Sequence, residues 1–445
     1  MQTDFKNKRV TVVGLARSGV AAARALHALG AVVTVTDKKP LDQLGAQVKA
    51  LGDSRIAVEA GGHPDRVFFE TDLIVLSPGV PKIPQLLNAR RHGVKVISEL
   101  ELAWMLSDSP YVGITGTNGK STVTTLVGLM LEKSRKNVLV AGNIGNALTE
   151  DVSQLTGKDW IVAELSSFQL EDIETFRPRV AAILNVTQDH LDRYHDMTEY
   201  GEAKARIFMN QQKDDTLVLN FDDPEVKAFA QRTAATVVPF SRLMRFNPGA
   251  CVLDGHLVYN NQRVIRADEI RINGVHNLEN ALAATAVALT AGADIASVAA
   301  VLREYPGLEH RLEFVRKRNG VTYINDSKGT NVGAVVKSVE GFTHPVILIA
   351  GGLDKGSDFS LLYNLFAEKV KLLVLIGKAA DKMEDVLGSA TETVRAASLA
   401  EAVRIAAAEA ASGDVVLLSP ACASFDMFKD FEDRGRQFKE AVKNL

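Results

Sequence analysis

The residues best suited to chemistry form a short Gly-rich run, Gly116-Thr-Asn-Gly-Lys-Ser-Thr122. An apolar segment, Tyr111-Val-Gly-Ile-Thr115, precedes it, and a helix-forming stretch through Leu131 follows. A strand, a Gly-rich turn and a helix start aim backbone N–H groups and a helix dipole at one point, which suits a phosphate. In such a loop Gly116, Thr117, Asn118 and Gly119 offer backbone, and Lys120 reaches terminal phosphate oxygens. Ser121, with Thr122 beside it, offers a hydroxyl to Mg²⁺. The match to the common phosphate-loop spacing is imperfect, because Ile114 stands where a glycine is expected. The plainer alternative is a Gly-rich turn carrying a surface lysine.

Three further side chains invite a metal or a charge. Glu164 ends an apolar run, Trp160-Ile-Val-Ala-Glu164, and the carboxyl ends of strands are where α/β sheets bind ligands. A carboxylate there suits a hard cation such as Mg²⁺, while the bland alternative is an exposed strand end. His190 follows the next strand, in Asn185-Val-Thr-Gln-Asp-His190, and reads equally as a ligand or as a structural histidine. Lys204 falls inside the apolar stripe of Tyr200, Ile207 and Phe208 on one expected helix. It either snorkels to solvent or turns inward toward a site, and spacing does not choose between these.

These groups need elements to hold them. The chain repeats apolar strand, Gly-rich turn and Ala/Leu-rich helix, the pattern of parallel sheets with crossover helices. The first block has strands at Arg9–Gly14, Ala31–Thr36, Asp72–Leu76 and Val94–Ile97. The second has strands at 111–115, 138–141, 160–164, 180–185 and 216–220, an antiparallel ribbon in 250–272, and a long Ala-rich helix from His276. The third has strands at 321–325, 345–350, 371–376 and 415–418, while the Ala-rich helix 400–411 reads as packing surface. The expected fold is α/β in three domains. These are a Rossmann-like N-terminal domain (1–98), a central P-loop-type ATPase domain with a mostly parallel sheet (99–308) and a Rossmann-like C-terminal domain (309–445). Linkers are expected near 98–109 and 306–312.

Composition narrows the class. At 445 residues the chain is too long for one core, and 46% hydrophobic with 24% charged residues is an ordinary globular balance. A net charge of −3 without basic blocks gives no nucleic-acid footprint. No apolar run near the start is long enough for a signal sequence or a membrane span. Two cysteines, Cys251 and Cys422, make no disulfide framework and lack metal-site spacing, so a cytoplasmic protein with free thiols is expected. Cys422 reads better as a small buried residue than as a nucleophile.

The motifs, taken in order, resemble the Mur ligases. Thr115-Gly-Thr-Asn-Gly-Lys-Ser-Thr122, Glu164-Leu-Ser-Ser-Phe-Gln-Leu-Glu171 and Asn185-Val-Thr-Gln-Asp-His-Leu-Asp-Arg193 carry the likeness. So do His276-Asn-Leu-Glu-Asn280, His310-Arg311 and Asn325-Asp-Ser-Lys-Gly-Thr-Asn331. Gly14-Leu-Ala-Arg-Ser-Gly19, Ala350-Gly-Gly-Leu-Asp-Lys355 and the tail Leu418–Gly435 point to the D-glutamate-adding branch.

That resemblance implies an ATP- and Mg²⁺-dependent ligase of peptidoglycan precursor synthesis. It would join D-glutamate to UDP-N-acetylmuramoyl-L-alanine through an acyl phosphate, as a cytoplasmic monomer with no membrane or nucleic-acid partner. It implies that Lys120 and its loop bind ATP phosphates and that Asn280, Arg311 and Asp326 contact the nucleotide. Ser121 and Glu164 become ligands of one Mg²⁺, His190 a ligand or neighbour of a second, and Lys204 a carbamylated lysine beside the metals. Gly14, Leu15, Ser18, Asp37, Ser77 and Gly79 fall to the uridine substrate, and Asn143 and Arg193 to its muramoyl-alanine part. Lys328, Thr330, Lys355, Ser424 and Phe431 form the D-glutamate pocket. Lys38-Lys39 after Asp37 departs from the small polar group expected near the uracil.

Other assignments are weaker. A dinucleotide-dependent oxidoreductase explains residues 9–37 but not the phosphate loop or residues 164 to 204. A nucleotide-binding switch leaves two further substrate-type sites unused. A sister muramyl ligase or a folylpolyglutamate synthetase lacks the glutamate-pocket match. Asn277 and Asn280 can also be read as helix-start caps.

Overall fold

The computed structural model describes residues 4–52, 55–190, 193–272 and 274–445. Residues 1–3 and two members of one motif above, Leu191 and Asp192, lie outside them. The first sheet contains β1 (Arg9–Val13), β2 (Val32–Asp37), β3 (Ala57–Ala60), β4 (Leu73–Leu76) and β5 (Lys95–Ser98). All five are parallel, in the order β3-β2-β1-β4-β5. Val10, Val12, Val33, Val35, Ile74 and Val75 are buried, as expected of strands covered on both faces. Strand order reverses at β1, so the carboxyl ends of β1 and β4 flank a crevice. Helix Arg17–Ala28 starts hard against it, and a Cβ on Gly19 would sit 1.9 Å from the Gly14 carbonyl oxygen.

The second sheet contains β6 (Tyr111–Thr115), β7 (Val138–Gly142), β8 (Trp160–Glu164), β9 (Val180–Ile183), β10 (Thr216–Asn220) and β11 (Thr236–Ser241). Then follow β12 (Ala250–Leu253), β13 (His256–Tyr259) and β14 (Gln262–Arg266), and the order is β14-β13-β12-β11-β10-β9-β6-β8-β7. Strands β6 to β12 pair in parallel, and β12, β13 and β14 form the expected antiparallel ribbon. Asp254, Gly255, Asn260 and Asn261 all have positive φ at its two turns. Helices Lys120–Lys133 and Val275–Thr290 cover one face. Ala281, Ala283, Ala284 and Ala288 are fully buried, and their small side chains let the second helix lie close to the sheet.

The third sheet contains β15 (Glu313–Arg318), β16 (Val321–Asn325), β17 (Val346–Gly351), β18 (Val370–Ile376), β19 (Glu392–Arg395) and β20 (Val415–Leu418). It is parallel except for β15, in the order β15-β16-β20-β17-β18-β19. Strands β3, β11, β15 and β19 are not among those expected from the sequence. Of these, β3, β15 and β19 are edge strands bearing charged residues, and β11 contains Pro239.

Residues 98–109, expected as a linker, are mostly a buried helix, Glu99–Met105. Its Leu102 packs in the N-terminal core, and its Leu100 and Ala103 pack in the central one. Its two glutamates are buried and hydrogen-bonded. Glu99 accepts the Thr149 N–H (2.7 Å), and Glu101 accepts the N–H groups of Glu174, Thr175 and Phe176 (2.9, 2.8 and 3.0 Å).

Candidate active site

Strand β6 delivers the chain to Gly116, whose left-handed backbone (φ 151°) begins the loop; Gly119 (φ 86°) caps the helix that follows. Neighbours hold the loop from outside. Asn185 accepts the Asn118 N–H through Oδ1 (2.8 Å), and its Nδ2 donates to the Asn118 carbonyl (3.0 Å). Thr117 donates to the Thr187 carbonyl (3.1 Å). Asn280 closes the loop from the helix above, where a Cβ on Gly119 would meet its Oδ1 at 2.3 Å. Asn277 and Asn280 therefore lie inside that helix, behind Gly274, rather than capping it.

Two amines converge on Gly116. Lys120 Nζ donates to the carbonyls of Gly116 (2.9 Å) and Thr117 (2.8 Å), and Lys204 Nζ donates to Gly116 (2.9 Å). Lys204 does not snorkel: it is 1% exposed, and its ammonium lies 4.3 Å from the Tyr200 ring centroid. Burial first, then the Lys120 charge, drives its pKa well below the ordinary lysine value. Burial lowers that of Lys120 too, against the pull of Glu164 and Asp189.

Glu164 is buried at the end of β8, one strand away from the loop. Its Oε1 accepts Asn143 Nδ2 (2.7 Å), while its Oε2 is buried without a partner. Asn118 Nδ2, Thr122 Oγ1 and Arg311 Nε are likewise buried and unpaired. A carboxylate oxygen and several donors left open around one loop fit a magnesium-bound nucleotide, and Ser121, which is buried, stands at the helix start beside them.

His190 has positive φ (57°) and lies 4.8 Å from the Phe168 ring. It lines a recess with Asp189, Thr330, Asn331 and Lys355, on the C-terminal domain's side of the loop. Among the described residues the cluster of three metal-ligand types is Glu309, His310 and Glu313, outside the expected set, and Lys439 already bonds both carboxylates.

The C-terminal domain closes over this centre. Asn331 Nδ2 donates to Asp189 (2.9 Å), and Lys337 reaches Glu279 (3.4 Å). Between the domains lies a concave cleft, the usual setting for a small-molecule site. Asn118, Asn280, Arg311, Asp326 and Lys328 line it. Asp326 is partly committed inward, accepting the hydroxyls of Ser338 (2.8 Å) and Ser419 (2.7 Å). Lys328 stands 3.8 Å over the Phe431 ring, and burial lowers its pKa to about 8. Ser424 is buried. Arg434, which the sequence reading passed over in the tail motif, is fully buried and ties the Ser327 and Cys422 carbonyls together (2.9 and 3.2 Å). Burial raises the Cys422 thiol to about 12, which disqualifies it as a nucleophile.

In the first domain Asp37 accepts the Leu15 N–H (2.7 Å), and Ser77 donates to the Gly14 carbonyl (2.8 Å). Leu15 itself is a core side chain. Ser18 lies in the first turn of the adjoining helix, and Gly79 borders open space. Arg193 is engaged by both Glu171 oxygens (3.1 and 2.8 Å) and reaches the Val80 carbonyl (3.3 Å), so it fastens the first domain to the second.

Known proteins match this arrangement. Three family models align in order: Mur ligase MurD-like, N-terminal domain over 8–98, Mur ligase middle domain over 114–288, and Mur ligase, glutamate ligase domain over 310–422. The UDP-N-acetylmuramoylalanine--D-glutamate ligases of Geotalea daltonii and Geotalea uraniireducens are each 48% identical over 446 residues, covering 99% of this chain and 98% of the relative. A pseudomurein peptide ligase type C from Methanothermus fervidus has the same fold, with a TM-score of 0.64 at 20% identity over 98% of this chain and 100% of that one. With three models in succession and relatives of this identity along nearly its full length, the chain belongs to the Mur ligase family.

Proposed function

We propose that this chain joins D-glutamate to UDP-N-acetylmuramoyl-L-alanine, with ATP as the activating co-substrate and Mg²⁺ as the resident ion. The observation that carries the reading is the meeting of Lys120 and Lys204 on Gly116, with the open Glu164 oxygen on the adjoining strand, beside an interdomain cleft lined by Asn118, Gly119 and Lys328. A carboxylate is a poor acyl donor until phosphate becomes its leaving group. Its oxygen first takes the terminal phosphoryl group. The amine of D-glutamate then attacks the carbonyl carbon, its nitrogen gives up a proton, and phosphate leaves with the electron pair of the broken C–O bond.

The protein's part is positioning and charge. Lys120 and the loop amides hold the phosphates, and Asn280, Arg311 and Asp326 hold the nucleoside. Ser121, Glu164 and His190 are the residues assigned to the ion, which supplies charge neutralisation at the transferring group. Lys204, whose burial favours the neutral amine, suits reaction with CO₂: its nitrogen bonds the carbon, a proton leaves, and the amine becomes a carbamate carboxylate. Lys328 and Lys355 give two cations for a substrate with two carboxylates, with Thr330, Ser424 and Phe431 around them. The uridine part falls to Gly14, Leu15, Ser18, Asp37, Ser77 and Gly79, and the peptide end to Asn143 and Arg193. The proposal includes the domain limits 1–98, 99–308 and 309–445 and a monomer working in the cytoplasm. Among the described residues no helix is long and apolar enough to cross a membrane.

The test is phosphate release with ATP, Mg²⁺ and UDP-N-acetylmuramoyl-L-alanine, comparing D-glutamate with L-glutamate, L-lysine and D-alanyl-D-alanine. Release with D-glutamate alone is expected. Release with another acceptor moves the chain to a sister reaction, and no release with any of them sinks the ligase reading.

A further inference from the structure

Beside the crevice of the first sheet stands a half-buried histidine that no step above uses. His63 follows β3, in Gly61-Gly-His63. The loops after β2 and β3 are laced together: Gly61 N–H donates to the Lys39 carbonyl (2.8 Å), and Gly62 N–H to the Asp37 carbonyl (3.2 Å). The same Asp37 accepts the Leu15 and Lys39 N–H groups (2.7 and 2.9 Å). His63 is thus built into the network that carries Asp37. Above it the edge is open, since a Cβ on Gly61, Gly62 or Gly79 would meet nothing within 4 Å.

The hydrogen bonds also favour one tautomer of the ring. Thr36 Oγ1 donates to the Gly62 carbonyl (3.0 Å) and lies 3.0 Å from His63 Nδ1. A hydroxyl has one proton, and of its two neighbours the carbonyl can only accept. The second contact is a hydrogen bond only if Nδ1 carries the hydrogen and donates to Oγ1. Nε2 of the neutral ring is then a lone-pair acceptor. Burial, the largest influence, and the Lys38 charge favour that neutral form, while Asp37 opposes it.

We propose that His63 is a base-specificity residue of the nucleotide substrate, its Nε2 accepting the imide N3–H of uracil. This rests on the uridine substrate assigned above. Uracil presents a donor at N3, whereas cytosine presents an acceptor there, so two lone pairs would face each other and cytidine would be rejected. The exposed Lys38-Lys39 ammoniums beside Asp37 suit the ring carbonyls or the diphosphate.

The experiment compares the parent chain, His63→Ala and His63→Gln in ligation kinetics. The nucleotide substrate is supplied with uracil, N3-methyluracil or cytosine as its base. Turnover of the uracil substrate by the parent tests the proposed function itself and is read first. The His63 inference is then read as ratios between bases. The parent should lose about tenfold in KM on N3-methylation, about the worth of one well-placed hydrogen bond. His63→Ala should raise the uracil KM about tenfold and show no further loss on methylation, with kcat and the KM values for ATP and D-glutamate unchanged. His63→Gln, which keeps an acceptor, should retain part of the preference and serves if the alanine variant does not fold. Equal losses on methylation in parent and variants, or a parent indifferent to methylation, would overturn the assignment.

Discussion

Lys204 and Lys328 show how position changes a common side chain. An ammonium at Lys204 is desolvated and faces the Lys120 charge, so the neutral amine is favoured. Replacing Lys204 by Ala should cut ligation at least about a hundredfold, the scale of losing one positioned electrostatic group. A small carboxylate such as formate, added to the mutant, should restore part of the rate. Equal rates for mutant and parent would sink the carbamate idea. Burial lowers the Lys328 pKa to about 8. As pH rises through 8 it loses the charge that meets a substrate carboxylate, so KM for D-glutamate should climb on the alkaline side. Lys328→Arg keeps its charge across that range. If the variant still binds D-glutamate, its KM profile should be flatter there, and an identical alkaline limb in both proteins would refute the assignment.

At the scale of elements, the helix Glu99–Met105 is held by carboxylates rather than by apolar surface alone. Glu101 is fully buried and satisfies three backbone N–H groups and the Thr175 hydroxyl of the central domain. Glu101→Gln presents an amide N–H₂ to those donors and leaves some unsatisfied. We expect a loss of about 2–4 kcal/mol, counting one or two buried donors unpaired. Urea denaturation measures it, and a shift under about 0.5 kcal/mol, typical of a surface change, would contradict the buried role.

For the whole molecule, closure of the C-terminal domain onto the phosphate loop rests on few polar contacts. Asn331 both caps helix Val332–Glu340, accepting the Ala334 N–H (2.8 Å), and bonds Asp189 across the cleft. Asn331→Ala should weaken closure, raise KM for D-glutamate about tenfold and lower kcat, while the melting temperature moves by only a few degrees. Small-angle scattering with nucleotide present should show a larger radius for the variant. Kinetics indistinguishable from the parent would show that closure does not depend on this bond.

The sequence by itself determined the class of fold and the strand, Gly-rich loop and helix at 111–133, because both are local. A strand, a Gly-rich turn and a helix are contiguous, and apolar runs of strand length declare a parallel sheet. It also gave Glu164 and His190 their places after strands. The inward turn of Lys204 was not legible, since a stripe of apolar neighbours is equally compatible with snorkelling; the Gly116 carbonyl and the Tyr200 ring decide it. Nor was the buried helix at 99–105, in a stretch expected as a linker, because the donors that hold Glu101 lie 73 to 75 residues away. Asn143 and Arg193 show the same limit from the other side. Their side chains also bond Glu164 and Glu171, 21 and 22 residues away, pairings that spacing along the chain does not reveal. Spacing along a chain reports what one segment can do. Which charge is paired, which amine is dry and which carboxylate keeps an open oxygen are set by partners distant in sequence, and only the tertiary structure supplies those.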